Sequence, residues 1–182
     1  MSVLIPAWNE EVGIRATITS VLNTKYPNLE IVVVNDDSTD STHDVVTTFI
    51  TQYQKKHRKS GTPILYRHIP NGGKARALNC ALSSARGDIV ITIDSDSVMD
   101  PQAIRNMVKH FADPHVASVA GNVIIGNRSG LLSLVQQLEY LYGFYFKRAD
   151  SLLNAVYIVG GAATAYRKKI VETLGGFDEN II

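Results

Sequence analysis

The stretch Ile89–Pro101, IVITIDSDSVMDP, begins with apolar, mostly β-branched residues and then places two carboxylates at the end of that run. Its apolar part predicts a fully buried strand of the kind found in parallel sheets. Charges removed from water must be paired or bound to metal, so Asp94 and Asp96 predict a positive partner. Their oxygens suit Mg²⁺ or Mn²⁺ held jointly with the phosphates of a substrate. A solvated turn is the competing interpretation, because Asp and Ser are ordinary turn residues.

The composition is that of an ordinary globular protein. The 182 residues are 45% hydrophobic and 19% charged, which predicts one domain that buries about 70% of its unfolded surface. The net charge of +1 argues against nucleic acid as a partner. The only cysteine, Cys80, cannot form an internal disulfide or a cysteine-based metal site. No run is long enough for a membrane helix, so we expect this chain to be soluble.

Strand-like and helix-like segments alternate along the chain. Strands are predicted at Ser2–Pro6, Leu29–Val34, Pro63–His68, Ile89–Ile93 and Val116–Ile125. Helices are predicted to follow them, with Asn9 as the cap of the first and Glu10 and Glu11 in its first turn. The alternation predicts an open, mostly parallel α/β sheet with helices on both faces.

Polar clusters follow four of these strands, at Trp8–Glu10, Asp36–Asp37, Asn71–Lys74 and Asp94–Asp96. In open α/β sheets ligands bind beyond the carboxyl ends of the strands, so the four clusters predict one site. The Gly-Gly pair before Lys74 is expected to offer free backbone N–H groups and a cation to a diphosphate. It matches neither the P-loop nor the dinucleotide-binding glycine pattern.

Six segments together carry a resemblance: IPAWNE (5–10), VVVNDDSTD (32–40), NGGKARALN (71–79), DSD (94–96), GGAATAYR (160–167) and GGFDE (175–179). In this order and spacing they resemble the family 2 inverting glycosyltransferases, whose fold is GT-A, a Rossmann-like α/β sheet. The chain is most similar to the processive membrane enzymes that make poly-N-acetylglucosamine, chitin oligosaccharides and hyaluronan. The resemblance covers essentially the whole chain.

The resemblance implies a nucleotide-sugar donor site. Pro6 to Glu10 matches the loop beneath the nucleotide, and Asp36 matches the aspartate that contacts the uracil and ribose of a UDP-sugar. Lys74 matches a lysine near the nucleotide and diphosphate. Asp94 matches the first aspartate of the DxD pair, near the ribose and diphosphate. The donor implied is UDP-N-acetylglucosamine, and the acceptor is an oligosaccharide.

The resemblance also implies a metal and an acceptor region. Asp96 matches the DxD aspartate that binds the divalent cation, Mg or Mn. Gly160 and Gly161 match the small-residue turn close to the acceptor sugar. Asp37 stands where many members of the family have glycine, a departure expected to alter the backbone of the loop and not the neighbouring carboxylate.

The family's general base lies in an acidic motif shortly after the GGFD segment, and a QxxRW motif follows. Neither occurs before the sequence ends at Ile182. We therefore expect residues 1–182 to be the donor-binding part of a larger enzyme and to be catalytically incomplete, with neither Asp178 nor Glu179 serving as the base. The full-length protein is expected at the cytoplasmic face of the plasma membrane, attached through membrane helices absent from this chain.

Two other classes of function stay open. The IDSDSV segment also fits the haloacid-dehalogenase pattern, in which Asp94 would be a phosphoryl-accepting nucleophile and Asp96 an acid/base. That family places the motif on its first strand, whereas here it is in the middle of the chain. The other class is a module that binds a nucleotide-sugar without transferring it.

The segment Leu131–Phe146, LLSLVQQLEYLYGFYF, predicts a helix that is apolar and aromatic on more than one side. Such a helix either rests against a membrane interface or a partner helix, or is covered by the sheet and its neighbours. The sequence leaves both alternatives open.

Overall fold

In the computed structural model the described residues are 1–57, 61–126, 130–153, 156, 159 and 162–180. The strands are β1 (Ser2–Ala7), β2 (Glu30–Asp36), β3 (Ile64–Ile69), β4 (Ile89–Ile93), β5 (Ser118–Ala120) and β6 (Ala163–Arg167). The helices are α1 (Ile14–Asn23), α2 (Thr42–Lys56), α3 (Lys74–Ser84), α4 (Ala103–Val108), α5 (Leu131–Leu152) and α6 (Lys168–Thr173). A 3₁₀ turn, Lys109–Ala112, follows α4.

The strands form one sheet in the order β3-β2-β1-β4-β6-β5. β1 pairs in parallel with both β2 and β4, and β2 pairs in parallel with β3. β6 lies antiparallel between β4 and β5. The predicted open, mostly parallel sheet is therefore confirmed. Strand order reverses between β1 and β4, so the crevice expected to bind a ligand opens between those two strands.

Helices cover both faces of the sheet, as predicted. One core contains buried residues of α1, α2 and α4 packed on β1 and β2, among them Ile14, Ile18, Val46, Ile104 and Met107. The other contains buried residues of α3 and α6, among them Ala77, Leu78, Ala81, Leu82 and Val171. Because successive side chains of a strand point to opposite faces, Val3 and Ile5 join the first core and Leu4 joins the second.

The predicted start of the first helix is wrong. Helix α1 begins at Ile14, four residues beyond Glu10, so Glu10 and Glu11 are not in its first turn. Asn9 has a positive φ of 55° and does not cap the helix. Its side-chain oxygen instead accepts a hydrogen bond from the backbone N–H of Thr39, at 2.8 Å. Asn tolerates this left-handed conformation, which turns the chain away from β1 before the helix starts.

The fifth predicted strand is too long, and its partner was not predicted. β5 covers three residues, Ser118–Ala120, because its pairing partner β6 begins at Ala163, opposite the residue after Ala120. A Cβ on Gly121 would come within 2.8 Å of the carbonyl oxygen of Ala163, so the chain passes too close for a side chain there.

Helix α5 is longer than predicted and leaves much of its apolar surface exposed. Its exposed large side chains are Leu134, Val135, Leu138, Tyr140, Leu141, Tyr142, Tyr145, Phe146 and Leu152. Leu141, Tyr142 and Tyr145 keep 66–71% of their surface accessible, so the alternative in which the sheet covers this helix does not hold for these side chains. Among the described residues, none of the helices combines the length and the apolar character needed to cross a membrane.

A buried carboxylate joins strands at the end of the sheet opposite the crevice. Glu30 accepts hydrogen bonds from the hydroxyl of Ser2 (2.6 Å), and from the backbone N–H (2.6 Å) and Nε (2.9 Å) of Arg86. Burial alone raises the pKa of the Glu30 carboxyl, but the Ser2 and Arg86 hydrogen bonds outweigh it, and the net pKa is lowered. The Ser2 hydroxyl also accepts from the N–H of Gly87.

We expect Glu30→Gln to lower the free energy of unfolding by about 1–3 kcal/mol at pH 7, because two donors of Arg86 lose a charged acceptor. A carboxyl whose folded pKa is lowered stabilises the fold above its unfolded pKa of about 4.3 and loses that contribution as pH falls through the folded pKa. The deficit of the variant should therefore shrink below about pH 4. Urea unfolding from pH 3 to pH 7 measures it.

Glu172→Gln is the matched control. Glu172, whose side chain is half exposed, forms an i,i+4 ion pair with Lys168 at 3.4 Å within α6, and such helix pairs contribute about 0.3–0.5 kcal/mol. An equal loss of stability in both variants, or a Glu30→Gln deficit that grows towards low pH, would contradict the role given to Glu30.

Candidate functional site

A cleft of about 440 Å³ opens at the carboxyl ends of the parallel strands, between β1 and β4. It contains the predicted donor-site and metal-site residues that the structure describes. The residues lining it are Pro6, Ala7, Trp8, Glu10, Asp36, Asn71, Gly73, Lys74, Ala77, Asp94, Ser95 and Asp96. The structure thus brings the four clusters predicted from the sequence together at one place.

The carboxylate of Asp36 is 3% exposed and accepts two backbone hydrogen bonds. Gly72 donates to one oxygen at 2.9 Å and Gly73 to the other at 2.8 Å, while the Asn71 side chain donates to the Asp36 carbonyl. The expectation that Gly72 and Gly73 offer free N–H groups to a diphosphate is therefore wrong. Both groups hold Asp36, and Gly73 has a φ of 86°, which an L side chain rarely adopts.

Lys74 begins helix α3 directly after this turn, and its ammonium pairs with the carboxylate of Asp94. Lys74 keeps 62% of its side-chain surface accessible and Asp94 keeps 34%, so solvent screens the pair. The positive partner that the sequence predicted for the two aspartates is thus provided to Asp94 by the protein itself.

Glu10 and Asp96 place further negative charge in the cleft. Burial raises the pKa of the Glu10 carboxyl, and the charges of Asp96, Asp40 and Asp94 raise it further, against a hydrogen bond with Ser95. Among the described residues, no three acidic, histidine or cysteine side chains lie close enough to hold a metal ion alone. Mg²⁺ commonly takes one or two carboxylates and completes its shell with phosphate oxygens and water, and Asp96 with Asp94 fits that pattern.

Helix α1 holds the backbone between the two aspartates, which the sequence reasoning missed. The Thr17 hydroxyl donates to the carbonyl oxygen of Ser95 at 2.7 Å, and the N–H of Met99 donates to the Ser20 hydroxyl at 2.9 Å. Thr17 interrupts the apolar stripe formed by Ile14, Ile18 and Val21. A hydroxyl inside an apolar stripe is the sequence signal that could have identified this contact.

The loops that follow β1 and β2 are joined by hydrogen bonds. The N–H of Glu10 donates to the Thr42 hydroxyl at 2.7 Å, and the N–H of Glu11 donates to Asp40 at 3.0 Å. In return Glu11 accepts from the N–H of Ser41 at 2.8 Å. The polar residues Asp40, Ser41 and Thr42, which follow β2, therefore hold the loop after β1, and this loop carries Glu10 into the cleft.

Asp37 occupies the position where the family often has glycine, and its φ is 58°. Glycine favours this region, and Asp is one of the few other residues that enter it readily. Its carboxylate pairs with Nε2 of His68 at 3.1 Å, on the adjacent strand β3. Asp37 thus adopts the left-handed backbone conformation that glycine favours. The loop can accommodate Asp37 without the change of backbone that was expected from the sequence.

Gly160 and Gly161, predicted near the acceptor, lie outside the described residues. The GGFDE segment is held by Asn79 of α3, whose side chain donates to the Phe177 carbonyl and accepts from the Phe177 N–H, both at 2.8 Å. Asn79 also donates to the Glu179 carboxylate at 2.7 Å, and Asp178 accepts from the N–H of Asn180. Both carboxylates are thus engaged in local hydrogen bonds.

The fold and this cleft define an open α/β protein with a polar cleft at the switch point of its sheet, and comparison with known proteins identifies its family. Residues 2–175 match the family model described as Glycosyl transferase family 2. The chain therefore belongs to glycosyl transferase family 2, as its motifs indicated. This membership decides against the haloacid-dehalogenase alternative.

Two curated relatives are synthases of an N-acetylglucosamine polymer. A poly-β-1,6-N-acetyl-D-glucosamine synthase of Staphylococcus epidermidis is 32% identical over 185 residues, covering 100% of this chain and 43% of the relative. The synthase of the same name from Staphylococcus aureus (strain COL) is 33% identical over 182 residues, covering 98% and 42%. The chain thus spans less than half the length of these relatives.

Solved structures confirm the GT-A fold. A mannosyltransferase from Pyrobaculum calidifontis, in complex with GDP-Man and Mn²⁺, has a TM-score of 0.73 and 25% identity, covering 99% of this chain and 48% of that one. TarS of S. aureus (residues 1–349), in complex with UDP-GlcNAc, has a TM-score of 0.66 and 20% identity, covering 97% and 47%.

We expect Asp96→Asn to lower the pKa of Glu10 towards its ordinary value. The negative charge of Asp96 disfavours ionisation of Glu10, so a neutral amide there allows the Glu10 proton to leave at lower pH. A carboxyl-detected NMR titration of Glu10 measures the change. Asp37→Asn is the control, because Asp37 lies outside the lining of the cleft. Equal shifts in both variants would contradict the geometry of the cleft.

Proposed function

We propose that this chain binds UDP-N-acetylglucosamine in the cleft between β1 and β4, together with Mg²⁺ or Mn²⁺, as the donor-binding part of a polysaccharide synthase. The reaction class is inverting transfer of the sugar to an oligosaccharide acceptor. One observation carries the proposal: Asp36 at the end of β2, Lys74 at the start of α3, and Asp94 and Asp96 after β4 line one cleft at the switch point of the sheet.

The choice of sugar is supported by the relatives. Curated relatives at 32–33% identity are named poly-β-1,6-N-acetyl-D-glucosamine synthases, and a structure of the same fold contains UDP-GlcNAc. The GDP-Man in the mannosyltransferase shows that this fold also takes other donors. The buried carboxylate of Asp36 suits a base that presents an N–H donor, as uracil does through N3.

The charges of the cleft support a divalent cation. Glu10, Asp94 and Asp96 line the cleft with one lysine, Lys74. Burial raises the pKa of the Glu10 carboxyl, and the negative charges of Asp96, Asp40 and Asp94 raise it further. A cation bound by Asp96 and the diphosphate would supply the charge that stabilises the leaving group. Lys74, Pro6 and Trp8 line the same cleft; in this proposal Lys74 contacts the diphosphate, and Pro6 and Trp8 lie beneath the nucleotide.

Inverting transfer also needs a base that removes the proton of the acceptor hydroxyl as it attacks the anomeric carbon. Asp178 and Glu179 hold the local fold of the GGFDE segment through hydrogen bonds to Asn180 and Asn79. We therefore assign donor binding, and not the base, to this chain. The longer protein is proposed to work at the cytoplasmic face of the plasma membrane.

The first expected outcome is that UDP raises the melting temperature only when Mn²⁺ or Mg²⁺ is present. Ligand at 100 times its Kd stabilises a fold by about 2.7 kcal/mol, which for a chain of this size is a shift of about 5–11 °C. Thermal unfolding with UDP, UDP plus Mn²⁺ and Mn²⁺ alone measures it. A folded sample whose melting temperature does not change with UDP plus Mn²⁺ would contradict the proposal.

Variants of Asp36 and Asp96 should fail in different ways. Asp96→Asn should abolish the metal dependence of UDP binding and leave weak uridine binding intact. Asp36→Ala should weaken uridine binding itself, at a cost of about 1–3 kcal/mol, because donors lose their buried acceptor. Since Asp36 also holds Gly72 and Gly73, this variant should unfold at lower temperature as well.

Isothermal titration with uridine and with UDP, each with and without Mn²⁺, separates the two effects. Asp37→Ala is the matched control, because Asp37 is the neighbouring aspartate and does not line the cleft. Unchanged uridine affinity in Asp36→Ala would show that the role given to Asp36 is wrong. A second assay measures release of UDP from UDP-N-acetylglucosamine by the longer protein in the presence of acceptor. If the protein binds UDP but releases none from the UDP-sugar, it is a binding module and not a transferase.

A further inference from the structure

We infer that two hydroxyls of helix α1, those of Thr17 and Ser20, are positioning groups that set where the Asp96 carboxylate lies and thereby control metal-dependent binding of a nucleoside diphosphate. The inference rests on the proposed function. It concerns a helix whose hydroxyl side chains do not line the cleft themselves.

The hydrogen bond of Thr17 differs from that of Thr19, the other threonine in helix α1. The Thr19 hydroxyl donates to the Arg15 carbonyl of the same helix at 2.7 Å, as helical threonines often do. Thr17 has its own helical acceptor, Gly13, at 3.4 Å, but lies closer to the carbonyl of Ser95, at 2.7 Å. Its hydroxyl therefore links α1 to the loop after β4. Thr17 is fully buried, so water cannot replace this bond.

Ser20, one turn later on the same face, holds the other end of that loop. Its hydroxyl accepts from the N–H of Met99 at 2.9 Å and donates to the Thr17 carbonyl at 2.7 Å. Ser20 is 7% exposed and Met99 is 5% exposed. The loop from Ser95 to Met99 is thus fixed at both ends by buried hydroxyls, because neither end has solvent as an alternative partner.

The start of α1 packs directly against the same backbone. A Cβ on Gly13 would lie 3.1 Å from the Cα of Asp96 and 3.2 Å from the carbonyl oxygen of Ser95. These distances are tighter than ordinary contacts, and both neighbours are backbone atoms. The loop therefore packs against the start of α1 too closely for a side chain at position 13 to fit without a shift.

The position of the Asp96 carboxylate depends on this backbone because little else holds it. Asp96 is exposed, and within the described part of the chain its carboxylate accepts a weak hydrogen bond from the adjacent Ser97 hydroxyl at 3.3 Å. Ser95, between the two aspartates, is 6% exposed and is the residue that Thr17 holds. A shift of Ser95 would carry Asp96 with it, and removal of groups that orient a metal ligand typically lowers metal affinity by about 10–100-fold.

The experiment compares Thr17→Val with Thr17→Ser, Ser20→Ala and the matched control Thr19→Val. Valine keeps the shape of threonine and removes the hydroxyl, and serine restores it. UDP affinity is measured by calorimetry with and without Mn²⁺, Mn²⁺ binding by electron paramagnetic resonance, and uridine affinity as a readout that needs no metal. Hydrogen exchange of the Ser95–Met99 amides reports the loop directly, without ligand.

We expect Thr17→Val and Ser20→Ala to lower UDP affinity in Mn²⁺ about tenfold or more and to leave uridine affinity within about twofold. Exchange in the loop should be faster in both. Thr17→Ser and Thr19→Val should behave like the parent chain. Equal UDP affinity in Thr17→Val and Thr19→Val would overturn the inference, and so would a parallel loss of uridine affinity, which would mean general loosening.

The parent chain separates this inference from the proposed function. UDP affinity that does not respond to Mn²⁺ in the parent would overturn the metal-dependent donor site itself. In that case, hydrogen exchange of the Ser95–Met99 amides still tests whether Thr17 and Ser20 hold the loop. Unchanged hydrogen exchange in Thr17→Val and Ser20→Ala would overturn the positioning role as well.

Discussion

The cleft depends on one buried interaction, the carboxylate of Asp36 held by the backbone N–H groups of Gly72 and Gly73. A carboxyl group on a residue that is 3% exposed requires such hydrogen-bond partners, because a buried polar group without them costs about 1–3 kcal/mol. The contact fixes the turn after β3 against the end of β2. Helix α3 starts at the next residue, so the same contact places the ammonium of Lys74 beside Asp94.

The sequence predicted the parts of the site that depend on strand ends. Runs of β-branched residues fixed β2 and β4, and the carboxyl edge of a parallel sheet had to collect the polar residues after them. It could not predict which donors meet which acceptors. Gly72 and Gly73 suggested a phosphate site, whereas a protein carboxylate takes their N–H groups. Likewise, Asn9 is a residue type that often caps helices. In the structure it lies in a loop, with a positive φ and a hydrogen bond from the backbone N–H of Thr39.

Long-range pairing explains the other differences. The sequence ATAYR does not by itself predict strand β6, because it contains small residues and no run of large β-branched ones. It forms a strand through antiparallel pairing with both β4 and β5. The role of Thr17 depends on a partner 78 residues away. The composition of α5 predicted a helix that is apolar on more than one side, but it left open whether the sheet covers that helix. The exposure of Leu141, Tyr142 and Tyr145 in the fold answers that question.

The sheet separates two tasks by its two ends. At the amino end, Glu30 accepts from Ser2 and Arg86, and the Ser2 hydroxyl accepts from the N–H of Gly87. A Cβ on Gly87 would fall within 2.4 Å of the Met1 Cα. At the carboxyl end lie the loops that line the cleft. Since distant sites with no shared partners contribute to stability almost additively, substitutions in the cleft draw little on the contacts around Glu30. The loops at the carboxyl end of such a fold can therefore be replaced in directed evolution of donor preference, while the Glu30 end is retained as the scaffold.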